Sequence, residues 1–260
     1  CGFSAIPEYL AKQDFPLARL NGAAVTHVWT QDKKTSHLIA KSSNIPNVVE
    51  DYSDMIGEVD AILLARDDSG NHYEIASCFI KEGLPIYIDK PLATSLSDAD
   101  KLFSLEIYNN QIFTCSALRY AKELALTKYL KSKVGKIRFI RAQSPNSWEK
   151  YSIHIIEPVL EMINSEVTMR SRYKSKGLVN LSLVSDCGIL IDFSVIKQSS
   201  LPISIQVYGD KGSIDLVFED SFNCFKSALK DFISQVKTGN SSFCKEKCLR
   251  AISIVEMGLT

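Results

Sequence analysis

The chain has 260 residues with 30 basic and 30 acidic side chains, so its net charge is zero and nothing marks it for nucleic acid. Apolar residues make up 45% and charged ones 23%, an ordinary globular balance that excludes disordered, collagen-like and coiled-coil chains. No apolar run approaches the ~20 residues that span a bilayer, so no membrane partner is expected. Seven scattered cysteines point to free thiols in a reducing, cytoplasmic setting. Cys244 and Cys248 stand one helical turn apart without a second ligand pair nearby, so no metal site is expected.

The chain opens Cys1-Gly2-Phe3-Ser4-Ala5. A lipid-modified first cysteine would be followed by a polar linker, which this is not. With a glycine before Cys1 the start would read as a G-x-G-x-x-A turn, in which Gly2 lets the backbone approach a pyrophosphate. The strand that precedes such a turn is not in the chain, so the expected sheet lacks its first strand. Residues 24–29 read as a strand, and Asp32 caps a polar helix running to about 42. Residues 59–65 form the near-continuous apolar run of a strand buried on both faces. A polar loop at 66–71 leads into a helix at 72–82, which Gly83 ends. A strand at 85–89, a helix at 97–108 capped by Ser95 or Ser97, and a strand at 111–116 follow. This alternation predicts a doubly wound parallel α/β sheet of Rossmann type over residues 1–118.

From 119 the pattern changes. Strands are predicted at 137–143, 168–173, 178–184, 189–195, 203–208 and 213–218, several joined by short turns. Helices are predicted at 153–163, 224–238 and 245–257. The result is a second, α+β domain over 119–260 with an open antiparallel sheet. Ile189, Leu190, Ile191 and Phe193 place apolar side chains on both parities of one strand. A sheet face not covered by its own helices must meet something apolar, so a homodimer or homotetramer through that sheet is expected.

Two segments carry chemistry. In Ile88-Asp89-Lys90-Pro91 a charged pair stands at the carboxyl end of a parallel strand, where open α/β sheets place ligands. The alternative is a solvated lysine at a strand end. In Trp148-Glu149-Lys150-Tyr151-Ser152-Ile153-His154-Ile155-Ile156-Glu157, His154 and Glu157 share a helix face and Lys150 lies one turn earlier. Histidine shuttles protons near neutral pH, although a lone one is more often a core or capping residue. Trp148 is open to two roles, stacking on a sugar face or anchoring the packing.

Together these segments resemble the Gfo/Idh/MocA family of NAD(P)-dependent oxidoreductases, which act mostly on sugars, inositols and related polyols. The resemblance spans nearly the whole chain and is most specific over residues 59–93, where Asp89-Lys90-Pro91 matches the family's E/D-K-P motif. Gly209-Asp210-Lys211-Gly212-Ser213 matches its late glycine turn. The resemblance implies hydride transfer between a nicotinamide cofactor and a hydroxyl or keto group. It makes His154 the base that takes the hydroxyl proton, and Lys90 the group that stabilises the oxyanion. It places the cofactor against Gly2, Phe3, Ser4, Thr30, Lys33, Ala65, Arg66, His72, Asp89 and Lys90. Candidate contacts for a sugar or polyol in the second half are Asn146, Trp148, Lys150, Tyr151, Glu157 and Arg172.

Two departures matter. Lys150 stands where many members have aspartate, and two ammonium groups at one site are expected to depress each other. That substitution motivates an alternative, a dinucleotide-binding sensor or regulator without catalysis. Thr30 stands where an acid would grip the adenosine ribose. With Lys33 and Lys34 following, this leans toward NADP or dual use rather than strict NAD, unless both lysines are merely solvated.

Overall fold

The computed structural model describes residues 20–163 and 165–260. Gly2, Phe3 and Ser4 lie outside the described residues. β1 (His27–Val28) and β2 (Asn47–Val48) pair in parallel across α1 (Lys33–Ser43). Asp32 caps α1 by accepting the N–H groups of Lys34 and Thr35, and Asn44, left-handed at φ 53°, ends it.

A second parallel sheet holds β3 (Ile62–Leu64), β4 (Ile86–Ile88) and β5 (Ile112–Phe113), side by side in that order. α2 (His72–Lys81) and α3 (Leu96–Phe103) make the crossovers. Among the described residues no strand joins β1 to β3. Ser95, not Ser97, caps α3. The helix stops at Phe103, five residues before the predicted end, because side chains capture the backbone beyond it. Glu106 accepts the Ile112 N–H at 3.0 Å, and Gln111 accepts the Ile107 N–H at 2.9 Å.

After α4 (Lys128–Val134) the chain enters a six-stranded sheet. Its strands are β6 (Ile137–Pro145), β7 (Val167–Lys174), β8 (Leu178–Ser185), β9 (Leu190–Ile196), β10 (Ser204–Gly209) and β11 (Ser213–Val217), in the order β11-β10-β6-β9-β8-β7. The sheet is mixed rather than wholly antiparallel, because β6 and β9 run parallel. The reason is the crossover through α5 (Trp148–Tyr151) and α6 (Ile153–Met162), which returns the chain so that β7 runs with β6. Two hairpins then bring β9 back beside β6 in the same sense.

Helices cover one face of this sheet, where Leu181, Leu183, Ile191, Phe193, Ile205 and Val207 are buried. The opposite face mixes Leu178, Val184 and Leu190 with Asn180, Ser182, Asp192 and Ser194, so it is less apolar than the sequence led us to expect. α7 (Ser221–Thr238) and α8 (Lys245–Leu259) turn back onto the first half of the chain. Phe232 of α7 packs on Tyr87 and Phe113 with ring centroids 5.6 and 5.7 Å away, and the Leu96 N–H donates to Glu256 of α8 at 3.1 Å. One continuous hydrophobic core therefore runs through the three-stranded and six-stranded sheets. Among the described residues no helix is long and apolar enough to cross a membrane.

Candidate functional site

The carboxyl ends of β3 and β4 lie side by side, held by the Asp89 N–H donating to the Leu64 carbonyl at 3.0 Å. Ala65 and Arg66 leave one strand there, and Asp89 and Lys90 leave the other. His72 ties the two exits together. Its ring is fully buried, with Nδ1 2.9 Å from the Leu92 carbonyl and Nε2 3.0 Å from the Arg66 carbonyl. The His72 ring thus shapes this edge from behind rather than facing a ligand. Arg66 is braced by a bidentate contact to Asp68. The Lys90–Pro91 peptide is cis.

The second half of the chain brings α5 and α6 over this edge. Trp148 anchors them. It is 2% exposed and donates from Nε1 to the Val255 carbonyl at 2.8 Å. Its ring lies so close to Gly258 that a Cβ there would sit 2.1 Å from it. Of the two roles open to Trp148, the structure selects packing anchor, because no face of the ring is free.

From that anchor, Tyr151 and His154 point to Lys90. The Lys90 ammonium is 5.9 Å from the Tyr151 ring centroid, and Tyr151 meets His154 edge-on at 5.4 Å. His154 Nδ1 is 2.8 Å from the hydroxyl of Ser116, a residue that follows β5. Glu157, one turn on, accepts the Ser116 N–H at 3.0 Å. Burial, then the charge of Lys90, pushes the His154 ring down to about 3, so it is neutral near pH 7. Burial pushes the Glu157 carboxyl up to about 7, opposed by the Arg119 guanidinium and the Ser116 N–H.

The remaining residues lie further out. Lys150 donates to Asp67 at 2.7 Å, and that hydrogen bond raises its pKa. The expected depression of Lys150 is therefore not what the geometry produces, because Asp67 pairs with its ammonium. Asn146 is exposed in the left-handed region at φ 70°, in the turn before α5. Arg172 sits on the edge strand β7, three strands from β6 and so roughly 14 Å across the sheet. It donates to the Met257 carbonyl at 3.2 Å and is not gathered with Lys90 and His154.

At the end of β1 the Thr30 hydroxyl donates to the Asp32 carbonyl at 2.8 Å, and its N–H donates to Ser36 at 2.8 Å. Lys33 forms an ion pair with Glu50. Ser116, Arg119 and Asp67 were not singled out in the sequence, since each acts through a partner distant in the chain. Ser116 alone left a trace, as the last residue of the predicted final parallel strand. Neither a hollow of about 470 Å³ beside Lys230 and Lys237 nor one of about 210 Å³ beside Leu118 and Pro158 is lined by Lys90 or His154, so chemistry rather than concavity marks the site.

Comparison with known proteins bears on the fold. Residues 4–116 match the model of an oxidoreductase family with an NAD-binding Rossmann fold. An oxidoreductase-named protein of Salmonella typhimurium, YceM, is 27% identical over 89 residues, a stretch covering 34% of this chain and 28% of that protein. Among solved structures, myo-inositol 2-dehydrogenase from Lactobacillus plantarum superposes with a TM-score of 0.80 at 14% identity, covering 98% of this chain and 92% of its own. Biliverdin reductase from Synechocystis, solved with biliverdin and NADP+, superposes with a TM-score of 0.75 at 12% identity, over 98% and 94%. A sugar-alcohol enzyme and a tetrapyrrole reductase thus share this fold, so the fold names no substrate. Residues 4–116 are thus similar to the Gfo/Idh/MocA oxidoreductases, and over nearly its whole length the chain has the fold of the inositol dehydrogenase.

Proposed function

We propose that the chain is an NAD(P)-dependent oxidoreductase that interconverts a hydroxyl and a keto group on a sugar, polyol or sugar derivative. The observation that carries this reading is the meeting of Lys90, from the parallel sheet, with Tyr151 and His154, from the second half of the chain. Two polar groups of different kinds converge on one place at the carboxyl edge of the sheet.

The described residues at that edge fit a dinucleotide. Ala65 is small and exposed just beyond β3, leaving room for a flat ring, while Arg66, Asp89 and Lys90 supply polar contacts. Bound nicotinamide would supply or accept the hydride. Lys90 and His154 would bracket the reacting oxygen, orient it, and manage its proton and its charge. Glu157 would not touch it, because its carboxylate is turned to Ser116.

Cofactor choice leans to NADP or dual use. The Thr30 hydroxyl already donates to Asp32, and Lys33 must leave Glu50 before it reaches a 2′-phosphate. The alternative of a non-catalytic sensor drew on Lys150, whose charge Asp67 now balances. Association with a second copy through the outer face of the six-stranded sheet completes the proposal, and light scattering would read it as a multiple of the chain mass.

The test is reduced-nicotinamide absorbance with NADH and NADPH across a panel of inositols, sugars and nucleotide sugars. Turnover of a polyol or sugar is the expected result. Cofactor binding without turnover of any member would replace this reading with the sensor.

A further inference from the structure

Ser116 lies where the chain passes from the parallel sheet to the second sheet, and it is fully buried. Its hydroxyl oxygen accepts the Leu118 N–H at 3.2 Å and stands 2.8 Å from His154 Nδ1. A hydroxyl carries one proton, and a buried O–H needs an acceptor. Among the described residues Nδ1 is the sole acceptor in its reach. Were the ring to donate instead, the oxygen would receive two donors and its own proton would be stranded, at a cost of about 1–3 kcal/mol for an unsatisfied buried donor.

We infer that Ser116 donates its proton to Nδ1 and thereby fixes His154 as a neutral ring carrying its hydrogen on Nε2. The surroundings agree. The positive charge of Lys90 opposes a second proton on the ring. Glu157, the nearest carboxylate on the same helix, accepts the Ser116 N–H rather than a ring N–H. Tyr151 presents its ring to the imidazole edge-on. Nε2 makes no hydrogen bond to a described residue, and His154 keeps 7% of its surface.

The consequence for catalysis rests on the oxidoreductase reading; the tautomer does not. A ring with hydrogen on Nε2 offers a bound oxygen a donor, not a lone pair. His154 is then not the base that the family resemblance implied. In the reducing direction an N–H bond of the Lys90 ammonium breaks as the new O–H bond of the alcohol forms. The lysine is left as an amine, and bound reduced nicotinamide would supply the hydride. The Nε2–H bond of His154 stays intact and hydrogen-bonds the oxygen throughout. Oxidation runs the same proton back to the Lys90 amine. Ser116 is a positioning residue, acting only through His154.

The test is nitrogen-15 NMR of histidine-labelled protein. Four histidines give few signals, and His154→Gln assigns one set by its disappearance. Wild-type protein should show His154 with a protonated Nε2 and an unprotonated Nδ1 near neutral pH and well into the acid range. Ser116→Ala should shift the ring toward a mixture of tautomers and lower kcat roughly 10–100-fold, with a smaller change in KM, as loss of a ring-orienting partner does elsewhere. Ser116→Thr, which keeps the hydroxyl, should restore both. A protonated Nδ1 in the wild type, or an unchanged pattern in Ser116→Ala, would overturn the inference, and the wild-type spectrum decides even if the alanine variant does not fold. Loss of turnover across the whole substrate panel with the Nε2–H pattern intact would remove the oxidoreductase reading and leave the Ser116 assignment standing.

Discussion

The floor of the site and its rim use the same kinds of charged and polar groups to different effect. On the floor, Ser116 and His154 are buried and Glu157 is half-buried, and desolvation is the largest cause moving His154 down and Glu157 up. On the rim, Lys150 meets Asp67, and Lys33 meets Glu50, with side chains 40% exposed or more. Solvent screens such pairs, and they contribute little. The lesson is that distance alone does not rank these contacts. The Lys150–Asp67 contact at 2.7 Å is as short as the Ser116–His154 contact at 2.8 Å, yet only the latter stands where water cannot replace it.

The sharpest way to break this contrast is at the junction of the two halves. Lys90→Ala and His154→Ala are each expected to lower turnover by roughly 10²–10⁴-fold with the far-ultraviolet circular dichroism unchanged. Wild-type rates in both variants would mean that the floor is structural only. Next in size is Gly258→Ala. Its new Cβ would collide with the Trp148 ring, which cannot retreat. Overpacking of this kind costs about 1–3 kcal/mol. Because Trp148 seats α5 and α6, kcat should fall together with Tm. A full-strength kcat in a destabilised Gly258→Ala protein would show that the anchor does not set His154.

Stability against pH separates the two buried groups. Glu157 ordinarily titrates near 4.5 and is raised to about 7 by burial. Above about 4.5 the unfolded carboxyl loses its proton while the folded one keeps it. Its contribution therefore declines as pH rises from about 4.5 to about 7. His154 is lowered from 6.5 to about 3. Its contribution declines as pH falls through that range, because only the unfolded ring takes up a proton. The two slopes oppose each other from about 4.5 to about 6.5 and nearly cancel. Glu157→Gln should uncover the His154 slope, up to about 1.4 kcal/mol per pH unit, in urea unfolding across that window. A Glu157→Gln profile parallel to wild type would contradict the assigned burial.

The rim predicts the smallest changes. Lys150→Ala should leave Tm unmoved and KM within a few-fold. Glu50→Gln should release Lys33 and tighten NADPH a few-fold relative to NADH, an advantage that high salt erases. A large loss of turnover in Lys150→Ala would move that residue from rim to floor.

Much of this was legible along the chain. The alternation of elements up to Phe113 fixes a parallel sheet, because a strand buried on both faces must be apolar throughout, as Ile62 to Leu64 and Ile86 to Ile88 are. Asp32 and Ser95 mark helix starts with their own side chains. Lys90 and His154 stood out because their residue types and places in the pattern are those of proton chemistry. These are local properties, carried by neighbours in sequence.

What only the tertiary structure decided depends on residues far apart in the chain. The parallel pairing of β6 with β9 follows from where the α5–α6 crossover returns, which no hairpin signal encodes. Trp148 became an anchor because Gly258, at the other end of the second half, leaves space for its ring. Lys150 became harmless because Asp67 waits on a loop of the other sheet. Above all, the form in which His154 offers itself to a substrate is set by Ser116, a residue 38 positions away. The amino-acid sequence determined which side chains were available for proton chemistry. Folding determined their partners and their distance from water, and so their protonation, because hydrogen bonds and desolvation act through space rather than along the chain.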